Sequence, residues 1–250
     1  MIYNRLLGGL GNQLFQHACA IGLSKKWGMD YCAPSESINP NVWPAYKLPG
    51  LNYCKEGVVT AVFYKEPTHA FHEIPFHPNI ILEGYWQSYK RFDFCREDVM
   101  KAFGFDDLDC NYGTVGLQIR RGDYLKFPLH HPVVTLEYIR MAAEKIKGDY
   151  EFLVFTDDEE WAKENITSEL LGDRYFEIIE KGDALNDLTY LAMCEKHIIS
   201  NSTYGWWGAW LSNSTNKQVV TPSEDNWFGE RNKHLSVADL LLPEWERIKF

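Results

Sequence analysis

Val115-Gly116-Leu117-Gln118-Ile119-Arg120-Arg121-Gly122-Asp123-Tyr124 passes from a short apolar run into two arginines and a glycine. A run of this length, bounded by charge and glycine, reads as a buried strand over 115–119 that ends in a polar turn. The same grammar repeats outward from it. Strand-like runs recur at 152–155, 175–179, 197–200 and 218–221, and helical patterns lie between them at 135–147, 159–165, 184–195 and 203–212. In the first of these helices Leu136, Ile139, Ala143 and Ile146 fall on one face. Alternation of this kind predicts an α/β fold: a parallel sheet with helices on both faces and right-handed crossovers. Ligands of such sheets bind beyond the carboxyl ends of the strands, which singles out the residues after Ile119, Phe155 and Ile199.

Upstream the pattern is less regular. Residues 2–7 read as a strand, Gly8-Gly9-Leu10-Gly11-Asn12-Gln13 as a turn, and 14–27 as a helix, which together open an α/β unit. Residues 31–80 are rich in proline, asparagine and aromatics and are expected to form loops and short strands. A strand is predicted over 79–83 and a helix over 88–103. The acidic stretch 104–113 is the expected linker. The organisation predicted is an N-terminal domain over 1–105, a second domain over 106–236, and a C-terminal helix over 237–250 that folds back on the first.

Composition bounds the function. A chain of 250 residues, 45% hydrophobic and 24% charged, can bury a core without metal or disulfide staples. A formal net charge of −10 argues against nucleic acid or a broad anionic membrane surface as partner. The six cysteines, at 19, 32, 54, 95, 110 and 194, form no C-x-x-C pair and no zinc spacing, so free thiols are expected. No signal peptide is evident, and no run reaches the roughly 18 apolar residues that span a bilayer. A cytoplasmic protein is expected, with peripheral association at the inner membrane left open.

Four segments can carry chemistry. Arg120 and Arg121 at a strand end suit a diphosphate, because guanidinium forms paired charge-assisted bonds to phosphate; alternatively Arg121 simply pairs with Asp123. Asp157 either accepts from ribose or guanine or caps the helix that follows. Ser200-Asn201-Ser202-Thr203 precedes a helix and offers side-chain donors beside free N–H groups, a ready anion site, whereas capping needs one such residue. Gly9 and Gly11 allow close approach of backbone to a ligand, although the third glycine of the dinucleotide fingerprint is missing. Asp107 and Asp109 match a D-x-D metal pattern formally but sit in the linker, so no metal and no cofactor is expected.

Taken together, Gly8-Gly9-Leu10-Gly11-Asn12-Gln13-Leu14-Phe15-Gln16, the QIRRGDY of 118–124, the FTDD of 155–158 and the ISNSTYGWWGAWL of 199–211 resemble bacterial α-1,2-fucosyltransferases of glycosyltransferase family 11. The resemblance implies a GT-B-like architecture of two Rossmann-like domains, with the donor nucleotide on the parallel sheet of the second. It implies GDP-fucose as donor, a galactose-containing glycan as acceptor, and inversion at the fucose anomeric carbon. It places Arg120 on the donor's β-phosphate, adds hydrogen bonds to the diphosphate from Ser202 and Thr203, and counts Gln118, Arg121, Ser200 and Asn201 among the donor-binding residues. It also sets Asp157 near guanine or ribose and closes Gly9, Gly11 and Asn12 over the donor from the other domain. Family members usually carry histidine where Gln118 stands, which replaces a hydrogen bond but not a charge. Arg120 supplies the counter-charge for departing GDP; Asp123 leads as base for the acceptor hydroxyl, with His17 and Glu83 behind it. Trp43, Tyr46 and Trp86 either line an acceptor groove or fill the core. The rival readings are a fucosyltransferase of another linkage and a non-catalytic glycan- or nucleotide-binding protein.

Overall fold

The structure is a computed structural model that describes residues 1–54 and 60–250; the reading of 31–80 as loops and short strands lies outside the described residues at 55–59. The chain divides into two compact units, Met1–Asp107 with Ser236–Leu241, and Leu108–Leu235 with Leu242–Phe250.

In the first unit β1 (Ile2–Arg5) enters the Gly8 turn, followed by α1 (Leu10–Trp27) and β2 (Tyr31–Cys32). β3 (Val62–Lys65), β4 (Ile80–Glu83) and α2 (Arg96–Phe103) complete its regular elements. Its sheet runs β2-β1-β4-β3, all parallel. Gly8 takes φ 72, and a side chain there would meet Asn12 Nδ2 at 2.6 Å, so the turn needs glycine on both counts. α1 is buried on nearly every side, including Gln13, Gln16 and His17. Its amides are spent inside: Gln16 forms a reciprocal pair with the backbone of Leu7, 2.9 Å each way, and Gln13 bridges Gly8 and Pro44.

The second unit contains β5 (Asn111–Ile119), α3 (Leu136–Lys145), β6 (Glu151–Thr156), α4 (Glu159–Asn165), β7 (Phe176–Ile178) and α5 (Ala184–Met193). β8 (Cys194–Ile199), α6 (Thr203–Leu211), β9 (Val219–Pro222), α7 (Glu224–Trp227) and β10 (Glu246–Ile248) follow. The sheet order is β10-β9-β8-β5-β6-β7, parallel throughout. Successive residues of β6 serve opposite faces: Phe152 and Val154 pack with Tyr138, Ile139 and Ala162, whereas Leu153 and Phe155 pack with Leu191. Helices therefore cover both faces, as the alternating pattern predicts. α6 is apolar all round and carries the buried Trp206, Trp207 and Trp210.

Several expectations are corrected. The helix predicted over 88–103 is two 3₁₀ turns, Tyr89–Arg91 and Asp93–Cys95, followed by α2. Helix 184–195 stops at Met193, and the strand begins at once with Cys194. The C-terminal segment holds no helix: Ser236–Leu241 belongs to the first unit, and Glu246–Ile248 forms an edge strand of the second sheet. The linker is shorter than expected, because β5 already begins at Asn111. Cys32 and Cys54 form a disulfide with Cα atoms 5.4 Å apart, which leaves four free thiols rather than six. No described helix is long and apolar enough to cross a membrane.

Candidate functional site

Register assembles the site. β5 pairs with β6 through Ile119↔Thr156 and with β8 through Gln118↔Ile199. Arg120 and Asp157, the next residues of β5 and β6, are therefore level at the carboxyl edge of the sheet, and Ser200, the next residue of β8, is level with Ile119 just below them. The turn after β5 is held by one carboxylate. Asp157 Oδ1 accepts from Arg121 N at 2.8 Å and Gly122 N at 3.2 Å, and its Oδ2 meets Arg120 Nη1 at 2.9 Å. Gly122 leaves just enough space, since a Cβ there would stand 2.5 Å from Asp157 Oδ2.

The other side of the Arg120 guanidinium is taken by Asp123, with Nη2–Oδ1 2.7 Å. The guanidinium also lies 5.7 Å from the Tyr124 ring centroid. Arg120 keeps 29% of its side chain exposed, against 16% for Asp157 and 42% for Asp123. An arginine has five N–H donors, so this fork retains donors for a ligand. The bland sequence alternative named the wrong pair: Asp123 partners Arg120, while Arg121 bonds Asp158 at 3.0 Å and stacks 3.8 Å from the Trp161 centroid. The helix cap expected of Asp157 is also supplied by Asp158, which accepts from Trp161 N.

The Ser200-Asn201-Ser202-Thr203 run is used mostly inside. Ser200 Oγ donates to Gln118 Oε1 at 2.7 Å, and both side chains are buried. Asn201 Nδ2 donates to the carbonyls of Pro132 and Trp227, and Ser202 caps α6 by accepting from Tyr204 N. Gln118, Ser200 and Asn201 are thus buried and bonded within the chain, beneath the surface at which Arg120 is exposed. Thr203, half-buried, is the first residue of α6, at the positive end of its dipole.

Two residues of the site escaped the sequence reading. Tyr124 donates from its hydroxyl to Asn201 O at 3.0 Å, and burial holds the phenol well above its ordinary pKa. His131 stacks on it, with centroids 4.7 Å apart at 18°. Burial pulls the His131 pKa down, with Asp123 pulling the other way, and its Nδ1 has no hydrogen-bond partner among the described residues. Tyr124 sits inside the quoted motif, but His131 lies in an irregular stretch with no periodic signal.

Gly9, Gly11 and Asn12 lie in the first unit, where Gly9 caps α1 and Asn12 Oδ1 accepts from Gln87 Nε2 at 3.0 Å. The alternative bases are unsuitable. His17 is buried and bonded to the Tyr31 hydroxyl, and burial above all, with Lys47 adding to it, pushes its pKa down to about 3. Glu83 is ion-paired with Arg5. Trp86 is fully buried core, while Trp43 packs by Gly9 and Tyr46 N donates to Gln13. Asp107 and Asp109 are exposed, and among the described residues no group of three or more His, Cys, Asp or Glu is placed to hold a metal ion.

Comparison with known proteins places this geometry. A sequence model described as Glycosyl transferase family 11 matches residues 52–249. The chain is 26% identical to the Escherichia coli O-antigen biosynthesis glycosyltransferase WbnK, over 98% of this chain and 99% of that protein. It is 25% identical to an Escherichia coli alpha-1,2-colitosyltransferase over 100% and 99% of the two chains. It is 23% identical to the Mus musculus galactoside 2-alpha-L-fucosyltransferase Sec1 over 96% and 72%. Among solved structures, NodZ alpha-1,6-fucosyltransferase soaked with GDP-fucose aligns with a TM-score of 0.54 at 15% identity, over 90% of this chain and 95% of that one. At that identity the likeness is one of fold.

Proposed function

The chain belongs to glycosyl transferase family 11, and we propose that it moves L-fucose from GDP-fucose to the 2-hydroxyl of a galactose residue, inverting the anomeric carbon without a metal ion. The observation that carries this reading is Arg120, a partly exposed guanidinium at the end of the central strand β5, whose neighbour β8 leads into α6. In the reaction the acceptor oxygen forms its bond to the anomeric carbon as the bond to the β-phosphate breaks. The leaving GDP takes the electron pair, and the hydroxyl proton passes to a base. Preorganised positive charge is what such a departure needs.

The ion pairs set the order of events. Arg120 and Arg121 face three carboxylates, Asp123, Asp157 and Asp158, so a diphosphate that binds the Arg120 fork competes with them. Asp123 is the more exposed of Arg120's two partners and holds one edge of the fork only. The β-phosphate replaces it there, while Asp157 keeps the other edge fixed. The released Asp123 is then an unpaired carboxylate beside the reacting centre, suited to accept the acceptor's proton.

The test is incubation with GDP-fucose, EDTA and a panel of β-galactosides, followed by released GDP and product linkage. GDP release that depends on a galactoside, unaffected by EDTA, with fucose on O2, is expected. Loss of turnover on chelation, or release without glycosidic product, refutes the reading. The relative acting with colitose at 25% identity over the whole chain favours a second reading, the same chemistry with that sugar, which GDP-colitose in the panel resolves.

A further inference from the structure

In the first unit a half-buried carboxylate does work that donor binding does not use. Glu66 follows β3, and its side chain folds beneath the loop that leaves β4. Its Oε2 accepts from Tyr85 N at 2.7 Å, and both oxygens lie within 3.0 and 3.1 Å of Trp86 N. Glu66 N donates in turn to Glu83 O at 2.8 Å. Gly84 presses so closely that a Cβ there would lie 2.3 Å from Glu66 Cβ.

The loop is held in an unusual state. Trp86 has φ 57, a left-handed conformation that bulky side chains adopt only where their surroundings dictate it. Its ring is fully buried, stacked on Tyr64 and 5.0 Å from the Arg91 guanidinium. The reversal at Trp86 has two results. Tyr85 is left with 37% of its surface exposed, with His69 edge-on to its ring. Gln87 is turned inward to donate to Asn12 at the start of α1. One carboxylate thereby ties together the ends of β3 and β4 and the glycine turn after β1, the edge where parallel sheets place ligands. Burial raises the Glu66 pKa despite the two amides and Arg91, so an ionised group here opposes stability. Packing alone would favour an uncharged side chain.

We propose that Glu66 is a positioning residue for the acceptor: it sets the Tyr85 ring as the platform on which a galactosyl C–H face stacks, while Gln87, bonded to Asn12, fixes the loop behind it. Aromatic side chains suit this task because a rigid apolar face is joined to a polar tip. The inference rests on the galactoside-accepting reading given above.

Steady-state kinetics of the full chain with GDP-fucose and N-acetyllactosamine test it, using Glu66→Gln, Tyr85→Ala and Tyr85→Phe. Glu66→Gln and Tyr85→Ala are expected to raise the disaccharide KM tenfold or more, with kcat within threefold and GDP affinity by calorimetry within twofold. Tyr85→Phe keeps the ring and is expected to restore the wild-type KM. An unchanged disaccharide KM in Tyr85→Ala, whose side chain is at the surface and whose loss spares the fold, overturns the proposal even if Glu66→Gln does not fold. Equal losses in GDP affinity, disaccharide KM and Tm in Glu66→Gln show a merely structural role and overturn it as well. A wild-type protein that transfers to no galactoside sinks the functional reading and this inference with it, an outcome distinct from an active wild type with indifferent variants.

Discussion

Replacing Asp157 by asparagine separates two jobs that the same residue could do. In the structure its carboxylate holds two backbone amides and one edge of Arg120. Asparagine can present oxygen to the amides or to the guanidinium, but not to both, so a donor faces a donor in either rotamer. Ion pairs at the surface contribute at most about 1 kcal/mol, and breaking a buried one costs about 3–5 kcal/mol. With 16% and 29% of the two side chains exposed, the pair lies between these limits. A loss of about 2 kcal/mol in transition-state stabilisation is expected, roughly 30-fold in kcat/KM. The informative assay is a double-mutant cycle on GDP release with Arg120→Ala. If Asp157 acts only by aiming Arg120, the second substitution costs less than about 0.5 kcal/mol once Arg120 is gone. A full, additive loss in the Arg120→Ala background refutes this reasoning and puts Asp157 directly on the nucleotide.

Arg120→Ala itself is expected to cost roughly 3 kcal/mol or more in kcat/KM, and Arg120→Lys to recover only part, because a point charge cannot bridge Asp157 and a phosphate together; near-wild-type kinetics for the alanine variant remove the counter-ion role. Asp123→Asn should lower kcat about 100-fold or more while leaving GDP affinity within a few-fold; activity within a few-fold of wild type excludes Asp123 as an essential base. His17 and His197 are buried, and desolvation pushes both down to about 3 from the ordinary 6.5. The unfolded chain therefore binds these two protons first, and stability is lost as pH falls below about 6.5, by on the order of 2–3 kcal/mol per pH unit for the pair. Urea titrations at pH 7, 6 and 5 check this; a flat profile shows that the histidines are not held neutral.

Much of the second unit was legible because its signals are local. Helix α4 matches its predicted bounds, and most other elements there fall within a residue or two of expectation. Apolar period and glycine punctuation are written over ten residues or fewer. Where the reading failed, distant partners had changed the outcome. The segment Tyr89–Arg91 breaks into a 3₁₀ turn because its backbone presses on α1: a side chain on Gly22 would meet Arg91 O at 2.0 Å. β8 takes over the last two residues of what reads as helix because its charged start is satisfied from elsewhere. Glu195 accepts from Gly113 N and the Tyr150 hydroxyl, and Lys196 lies 4.6 Å from the Tyr150 ring. β10, short and charged, is a strand only because β9 offers it an edge.

Local pattern alone settled that this chain builds parallel α/β sheets and that arginine, aspartate and the hydroxyl run leave them at carboxyl ends. Which carboxylate meets which arginine, and which polar side chains are bonded within the chain, came only from the folded chain. Asp157 belongs to Arg120, Asp158 to Arg121, and Gln118 to Ser200. The reason is geometric: a side chain's neighbour along the sequence is set by period, whereas its neighbour across a sheet is set by strand order and register, which no short window contains.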